Sequence, residues 1–186
     1  LDAVLALEAV DAEAVRKAGF TVVVDAVNSV GGVIMPKLLE RLGVKCIGIN
    51  CNPDGNFAHN PEPLPANLVE LSSTVAEQKA DLGISVDPDV DRLAFMCEDG
   101  SPFGEDYTLV SVSDYLLHRA YDKDIASGKT LEEVCAQYSC TTVSNLSSTR
   151  ALRDVTEKYG GEYFAAAVGE VNVTTKMREC GALIGG

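Results

Sequence analysis

The sequence predicts two consecutive α/β units with mixed, mostly parallel sheets, the second of them truncated. Short β-branched runs alternate with longer amphipathic stretches, the alternation restarts after about Gly104, and the chain stops on a fresh strand, "ALIGG". We therefore expect one unit over residues 1–104 and a second, incomplete unit over residues 105–186. Parallel strands joined through helices imply right-handed crossovers.

The first unit reads as three helices, four strands and one long loop. In chain order, we predict a helix (1–19), a strand (20–28), a helix (31–43), a strand (44–50), a loop (51–67), a helix (68–80), a strand (81–86) and a strand (92–104). Asp25 and Asn28 fall at the carboxyl end of the first strand, and Pro36 falls in the first turns of its helix, where proline is tolerated. The loop contains four prolines and a Pro-Asp-Gly turn, which exclude regular structure there.

The second unit repeats the alternation. We predict a helix (106–124), a strand (141–147), a helix (148–161), a strand (162–168), a helix (171–181) and the start of a strand (182–186). Ser148 or Thr149 is the expected cap of the second of these helices, because a hydroxyl there can accept a backbone N–H.

Composition excludes several classes of protein. The formal charge of −13 argues against binding to nucleic acid or an anionic membrane. No apolar run reaches the length of a membrane span, and the N-terminus carries no basic leader, so a cytoplasmic protein is expected. The six cysteines form no C-x-x-C pair, and we interpret them as reduced, mostly buried thiols.

The segment "LGISVDPDVDRLAFM" places Asp87, Asp89 and Asp91 at alternate positions between two predicted strands. Along one strand these carboxylates would share a face and repel one another. A turn at Pro88 would instead let their oxygens converge on one centre, and hard oxygen donors suit Mg²⁺ or Ca²⁺. Arg92 could then grip a phosphate oxygen. The alternative is a solvated acidic turn.

Two known motifs compete for these residues. An EF-hand loop would use Glu98 at its twelfth position, but Arg92 replaces the required glycine and the flanking segments read as strands. A haloacid-dehalogenase-like phosphatase would use Asp87 as its nucleophile, although no downstream Asp-Asp pair follows a helix. The phosphatase stays open as an alternative, as does a non-catalytic metal-binding module.

The sequence resembles the α-D-phosphohexomutase family, which includes phosphoglucomutase and phosphomannomutase. Five stretches carry the resemblance, in the order that the family has them: "VVVDAVNSVGG", "PDGNFAHNPEPLP", "DPDVDR" with its flanks, "TVSNLSSTRALRDV" and "VGEVNVTTKMRECGALIGG". In that family four domains surround one cleft, and this chain looks like the second domain and the beginning of the third.

The resemblance implies a reaction and a role for each site residue. Phosphate passes from an enzyme phosphoserine to a hexose phosphate, giving a bisphosphorylated sugar that returns its other phosphate. Asp87, Asp89 and Asp91 would bind the Mg²⁺ that touches the phosphoserine, Arg92 would contact the phosphate, and Gly169 and Glu170 would contact the sugar. The partners are hexose phosphate, hexose bisphosphate and the other domains of the same chain.

Several departures from the family pattern matter. The serine motif Ser-His-Asn-Pro is matched only by "AHNP", so His59 is interpreted as a hydrogen-bonded loop residue. The sugar loop would begin at Gly185 or Gly186 and lie beyond the end. The isolated chain is therefore expected to be inactive as a mutase. Its 15 basic against 28 acidic residues imply that other domains supply the positive field that a phosphosugar needs.

Overall fold

A computed structural model describes the backbone of residues 1–186 and every side chain except those at positions 120, 121, 123, 131 and 138. The chain divides into two compact units, Leu1–Glu105 and Asp106–Gly186. Each unit has its own β-sheet with helices packed on it, which confirms the predicted fold class. Within the described part of the chain, no helix combines the length and the apolar character needed to cross a membrane.

The first unit contains a four-stranded sheet with the order β2-β1-β3-β4. Its strands are β1 (Thr21–Asp25), β2 (Lys45–Ile49), β3 (Leu82–Val86) and β4 (Leu93–Met96). Its helices are α1 (Asp2–Leu5), α2 (Ala12–Ala18), α3 (Gly31–Arg41) and α4 (Val69–Gln78), with a 3-10 turn at Pro65–Asn67. Strands β2, β1 and β3 are parallel, and β4 runs antiparallel to β3.

Alternate side chains of β1 fill two separate cores, because successive residues of a strand point to opposite faces. Val22 and Val24 pack in one cluster with Leu39 of α3. Val23 packs in the other with Leu71 and Val75 of α4. The sheet is therefore covered on both faces, as the near-continuous apolar run in β1 predicts.

The second unit contains a three-stranded parallel sheet with the order β6-β5-β7. Its strands are β5 (Thr142–Asn145), β6 (Tyr163–Ala166) and β7 (Ile184–Gly185). Its helices are α5 (Glu105–Ile125), α6 (Leu131–Tyr138), α7 (Ala151–Lys158) and α8 (Glu170–Cys180).

The central strand β5 also has two covered faces. Thr142 is fully buried and its hydroxyl lies 2.6 Å from that of Thr156 in α7, so this polar pair is satisfied inside the unit. Val143 points the other way and packs with Val173 of α8. The second unit is thus also a three-layer arrangement.

Three local predictions were wrong. The single helix over residues 1–19 is two helices, because the Asp11 carboxylate accepts the Ala14 N–H at 2.9 Å and starts α2 afresh. Helix α7 has Arg150 at its N-cap, so the predicted cap position was wrong, and the Ser148 hydroxyl donates to Asn145. The Thr149 hydroxyl nevertheless accepts the Ala151 N–H at 3.3 Å, which is the kind of contact that was predicted.

The third error is the omission of α6. The sequence carries a signal for it: Thr130 and Glu133 form a capping box, in which the Thr130 hydroxyl accepts the Glu133 N–H at 3.3 Å and the Glu133 carboxylate accepts the Thr130 N–H at 2.8 Å.

The six cysteines are free, Cys140 is buried and the other five are partly buried, which agrees with the interpretation as reduced, mostly buried thiols. Burial, followed by the interaction with nearby Cys135, raises the pKa of the Cys140 thiol from its ordinary value of 9.0 to about 12. The unfolded chain therefore loses this proton at lower pH than the folded chain. The stability that this thiol contributes is complete below pH 9 and is lost as the pH rises toward 12.

We expect the free energy of unfolding to fall between pH 9 and pH 10.5 by a smaller amount in Cys140→Ala than in the parent chain. Urea denaturation followed by circular dichroism measures this, with Cys97→Ala as the half-buried control. If the free energy of unfolding fell equally with pH in Cys140→Ala and the parent, the Cys140 thiol would not contribute to the pH dependence of stability.

Candidate metal centre

Two buried aspartates lie at the carboxyl edge of the first sheet. Asp25 ends β1, and Asp87 follows the neighbouring parallel strand β3; their side chains are 0% and 1% exposed. The carboxyl edge of parallel strands is where ligands bind in open α/β sheets. Two buried carboxylates at this edge require cations or hydrogen-bond donors as partners.

Residues 87–92 form the tight bend between the antiparallel strands β3 and β4, whose last paired residues are Val86 and Leu93. The Val90 N–H donates to the Asp87 carbonyl at 3.2 Å, and Val90 adopts a left-handed backbone with φ of 63°. At the other side of the bend, the Arg92 N–H donates to Asp87 Oδ1 at 3.0 Å. The Ser29 hydroxyl donates to the Pro88 carbonyl and ties the bend to the segment before α3.

This bend brings the predicted carboxylates together. One oxygen from each of Asp87, Asp89 and Asp91 lies within 4.8 Å of the others, and Asp87 is buried while the other two are exposed. Two oxygens on opposite sides of a Mg²⁺ ion lie about 4.2 Å apart, since the Mg–O distance is about 2.1 Å. Neighbouring oxygens around the ion lie about 3.0 Å apart, so the carboxylates must draw together on binding. Two of them are on exposed side chains that can move, and three hard oxygen donors fit a divalent cation.

Arg92 contacts this carboxylate group directly. Its Nε donates to Asp87 Oδ2 at 2.8 Å and lies 3.7 Å from Asp91 Oδ1, while Nη1 donates to Glu62. The hydrogen bond to Glu62, followed by that to Asp87, raises the pKa of Arg92 above its ordinary value, so the guanidinium stays charged.

The three carboxyl groups are electrostatically unequal. Burial raises the pKa of Asp87, but the backbone and side-chain hydrogen bonds from Arg92 outweigh it, so this pKa lies below the ordinary value. The pKa of Asp91 is raised, first by a hydrogen bond with Asp87 and then by the negative charge of Asp89. The metal-free bend therefore holds mutual repulsion that a bound cation would relieve.

A second polar group surrounds Asp25. Its Oδ1 accepts the Val27 N–H at 3.0 Å, and its Oδ2 lies 3.0 Å from Nε2 of His59 and 3.4 Å from the side-chain amide nitrogen of Asn50. Nδ1 of His59 faces the Asn60 carbonyl at 2.8 Å, so both neighbours of the ring are acceptors. His59 is a hydrogen-bonded loop residue, as the sequence interpretation has it, and its partner is a buried carboxylate.

The sequence interpretation missed two residues at this edge, Glu62 and Asp25. Each pairs with a residue at least 30 positions away, Glu62 with Arg92 and Asp25 with His59. No local pattern encodes such a pairing. The closest signal was the position of Asp25 at the end of a buried strand.

Gly169 and Glu170 belong to the second unit. Gly169 is the N-cap of α8, with φ of 119°, and Glu170 begins the helix. Both are exposed and follow the carboxyl end of β6. The structure thus groups Asp87, Asp89, Asp91 and Arg92 in one bend and places these two residues at the sheet edge of the other unit.

The geometry weighs against both competing motifs. The bend is flanked by β3 and β4, whereas an EF-hand needs helices on both sides. Both carboxylate oxygens of Asp87 accept hydrogen bonds from Arg92, which leaves a nucleophile at this position poorly presented.

Comparisons with known proteins identify the family. The domain description "Phosphoglucomutase/phosphomannomutase, alpha/beta/alpha domain II" matches residues 1–100, and the corresponding domain III description matches residues 106–186.

Relatives with curated names agree with these matches. The chain is 32% identical over 169 residues to a probable phosphoglucosamine mutase of Methanopyrus kandleri, covering 90% of this chain and 34% of that protein. It is 33% identical over 178 residues to a phosphoglucomutase/phosphomannomutase of Thermococcus kodakarensis, covering 95% and 35%. The chain therefore spans about a third of the length of these relatives.

A crystal structure of a phosphoglucomutase/phosphomannomutase family protein from Burkholderia thailandensis matches 94% of this chain and 36% of its own, with a TM-score of 0.74 and 26% identity. The domain matches account for all but a few residues, and they confirm the resemblance seen in the sequence motifs. The chain belongs to the phosphoglucomutase/phosphomannomutase family.

Proposed function

We propose that this chain supplies the metal loop of a phosphohexomutase, in which Asp87, Asp89 and Asp91 bind Mg²⁺ and Arg92 binds the phosphoryl group. The observation that carries the proposal is the convergence of these carboxylate oxygens within 4.8 Å, beside a guanidinium. In such a site Mg²⁺ neutralises charge on a phosphoryl group during its transfer.

The aspartates and Arg92 would have different roles in this site. Buried Asp87, fixed by Arg92, is the rigid ligand, and exposed Asp89 and Asp91 close on the ion from the solvent side. Arg92 keeps its charge and orients the phosphate oxygens by N–H donation. These residues would position the reacting groups and stabilise their charge, which are the main contributions of a protein to phosphoryl transfer.

The reaction we propose moves phosphate between an enzyme phosphoserine and a hexose phosphate through a bisphosphorylated sugar. Gly169 and Glu170 are proposed to contact the sugar; both are exposed at a sheet edge, where backbone N–H groups at a helix start are available. We further propose that residues 105–186 form part of a third domain. The formal charge of −13 supports a role for other parts of the protein in attracting the anionic substrate.

Calorimetric titration with MgCl₂ tests the metal site. We expect the parent chain to bind one Mg²⁺ and Asp89→Asn to lose at least about tenfold in affinity, because one charged ligand is removed. Glu98→Gln is the matched control: it also removes one carboxylate from an exposed position in the first unit and should bind normally. Equal weak heats in parent and Asp89→Asn would remove the metal site, and a loss of affinity in both Asp89→Asn and Glu98→Gln would favour the EF-hand arrangement, which uses both carboxylates.

Hydrolysis of p-nitrophenyl phosphate separates the mutase from the phosphatase alternative. The mutase proposal expects no turnover by this chain. Turnover that disappears in Asp87→Asn would instead assign Asp87 as a nucleophile.

A further inference from the structure

We propose that Glu62 is a positioning residue for Arg92, and that the Asp25–His59 pair anchors the loop that carries it. This inference rests on the proposed role of Arg92 as the phosphate contact. The loop in question, residues 51–67, runs from the end of β2 to the start of α4 and is here called the proline-rich loop.

Arg92 needs positioning because its side chain is half exposed. One ion pair at such a site is weak, since solvent screens it and the long side chain loses rotamer freedom. Asp87 holds Nε at 2.8 Å, and Glu62 holds Nη1, so two carboxylates on different elements fix the plane of the guanidinium. Among the hydrogen bonds of the described residues, none uses Nη2 of Arg92, which leaves N–H groups for an incoming anion.

Glu62 is itself held firmly. Pro61 and Pro63 flank it and fix their own φ angles. Its backbone N–H donates to the Asn60 side chain at 3.2 Å, and its carbonyl accepts the Asn67 side-chain amide at 2.8 Å. Because its backbone is constrained, the Glu62 carboxylate can fix the orientation of the Arg92 guanidinium. A carboxylate on a mobile loop would instead move with the arginine.

The loop is also tied to the end of β1. His59 lies three residues before Glu62 and contacts the fully buried Asp25 at 3.0 Å. Asn28, just after β1, adds two contacts: its side-chain amide donates to the Asn56 carbonyl at 3.0 Å, and its carbonyl accepts the Gly55 N–H at 3.1 Å. The proline-rich loop therefore links the end of β1 to the bend after β3.

The test compares Glu62→Ala, Glu62→Gln and Glu77→Ala in this chain. Glu77 is an exposed glutamate on α4, outside the loop, and serves as the matched control. The first readout is the ¹H–¹⁵N resonance of Arg92 Nε–H in the metal-free chain, assigned through its loss in Arg92→Lys. The second is the affinity for inorganic phosphate in the presence of MgCl₂.

We expect Glu62→Ala to speed solvent exchange of Arg92 Nε–H and to weaken Mg²⁺-dependent phosphate binding by about tenfold, as removal of outer hydrogen-bond partners does in metal sites. Glu62→Gln should keep both properties, because its amide oxygen still accepts from Nη1. His59→Ala, which removes the contact with Asp25, should reproduce the effects of Glu62→Ala, and Glu77→Ala should change neither.

Two results would overturn the inference. Unchanged Nε–H exchange in Glu62→Ala would show that Asp87 alone orients Arg92, and tighter phosphate binding would show that Glu62 competes with phosphate. Failure of the proposed function is seen separately: the parent chain would then bind no Mg²⁺, while the Nε–H resonance would still report whether Glu62 positions Arg92.

Discussion

Asp91→Asn is expected to raise the melting temperature of the metal-free chain and to abolish the stabilisation that Mg²⁺ gives the parent. The raised pKa of Asp91 means that the folded chain holds this proton more tightly than the unfolded chain does. Its favourable contribution is therefore present below the ordinary pKa and is lost as the pH rises through the raised one. At neutral pH the repulsion from Asp87 and Asp89 outweighs the attraction to Arg92, and a neutral amide removes that repulsion.

The same substitution takes away one ligand of the proposed metal site. Saturating Mg²⁺ should raise the melting temperature of the parent by roughly 5–10 °C, since a ligand that binds only the folded state stabilises it. Asp91→Asn should show little of this gain. Thermal unfolding with EDTA and with MgCl₂ at pH 7 measures both effects.

Glu98→Gln provides the matched control and should behave as the parent in both buffers. If Asp91→Asn left the metal-free melting temperature unchanged, the carboxylates would not repel in solution as their spacing implies. If it kept the full response to Mg²⁺, the ion would bind elsewhere.

The fold was predictable because the local pattern of apolar and polar residues indicates the strands and helices of both units. The run "VVV" in β1 is apolar at every position, which marks a strand covered on both faces, and the amphipathic stretches between strands supply the covering helices. Errors arose where a local feature competes with periodicity. Asp11 interrupts an otherwise continuous helical pattern and starts a new helix. The capping box formed by Thr130 and Glu133 indicates the start of α6, which was not predicted.

The candidate site was predictable only in part, for a physical reason. Asp87, Asp89, Asp91 and Arg92 lie within six consecutive residues, so one bend brings them together. The contacts that support them are not local: Glu62 and His59 reach their partners because the proline-rich loop folds back over the sheet edge. A single sequence does not contain the loop path that makes this pairing.

Asp25→Ala is expected to lower the free energy of unfolding by about 3 kcal/mol, because it removes the acceptor of several inward-facing donors. The Val27 N–H, the His59 ring and the Asn50 amide would each lose a partner. Asp25→Asn should cost less, since its remaining carbonyl oxygen can still accept the Val27 N–H. Urea denaturation measures both variants against Glu77→Ala, which should match the parent.

The backbone near Asp25 is strained, which increases the expected effect of Asp25→Ala. Val27, Asn28 and Asn50 all have positive φ, at 46°, 55° and 49°, and a β-branched residue such as Val27 rarely adopts this conformation. The contacts to Asp25 are what compensate that strain, so their loss should release the proline-rich loop as well as destabilise the unit. Folded Asp25→Ala should then keep its Mg²⁺ affinity, since Asp87, Asp89 and Asp91 lie on a separate bend, but lose the slow exchange of Arg92 Nε–H. A variant with unchanged stability would mean that the packing of the neighbouring apolar residues alone holds this backbone in place.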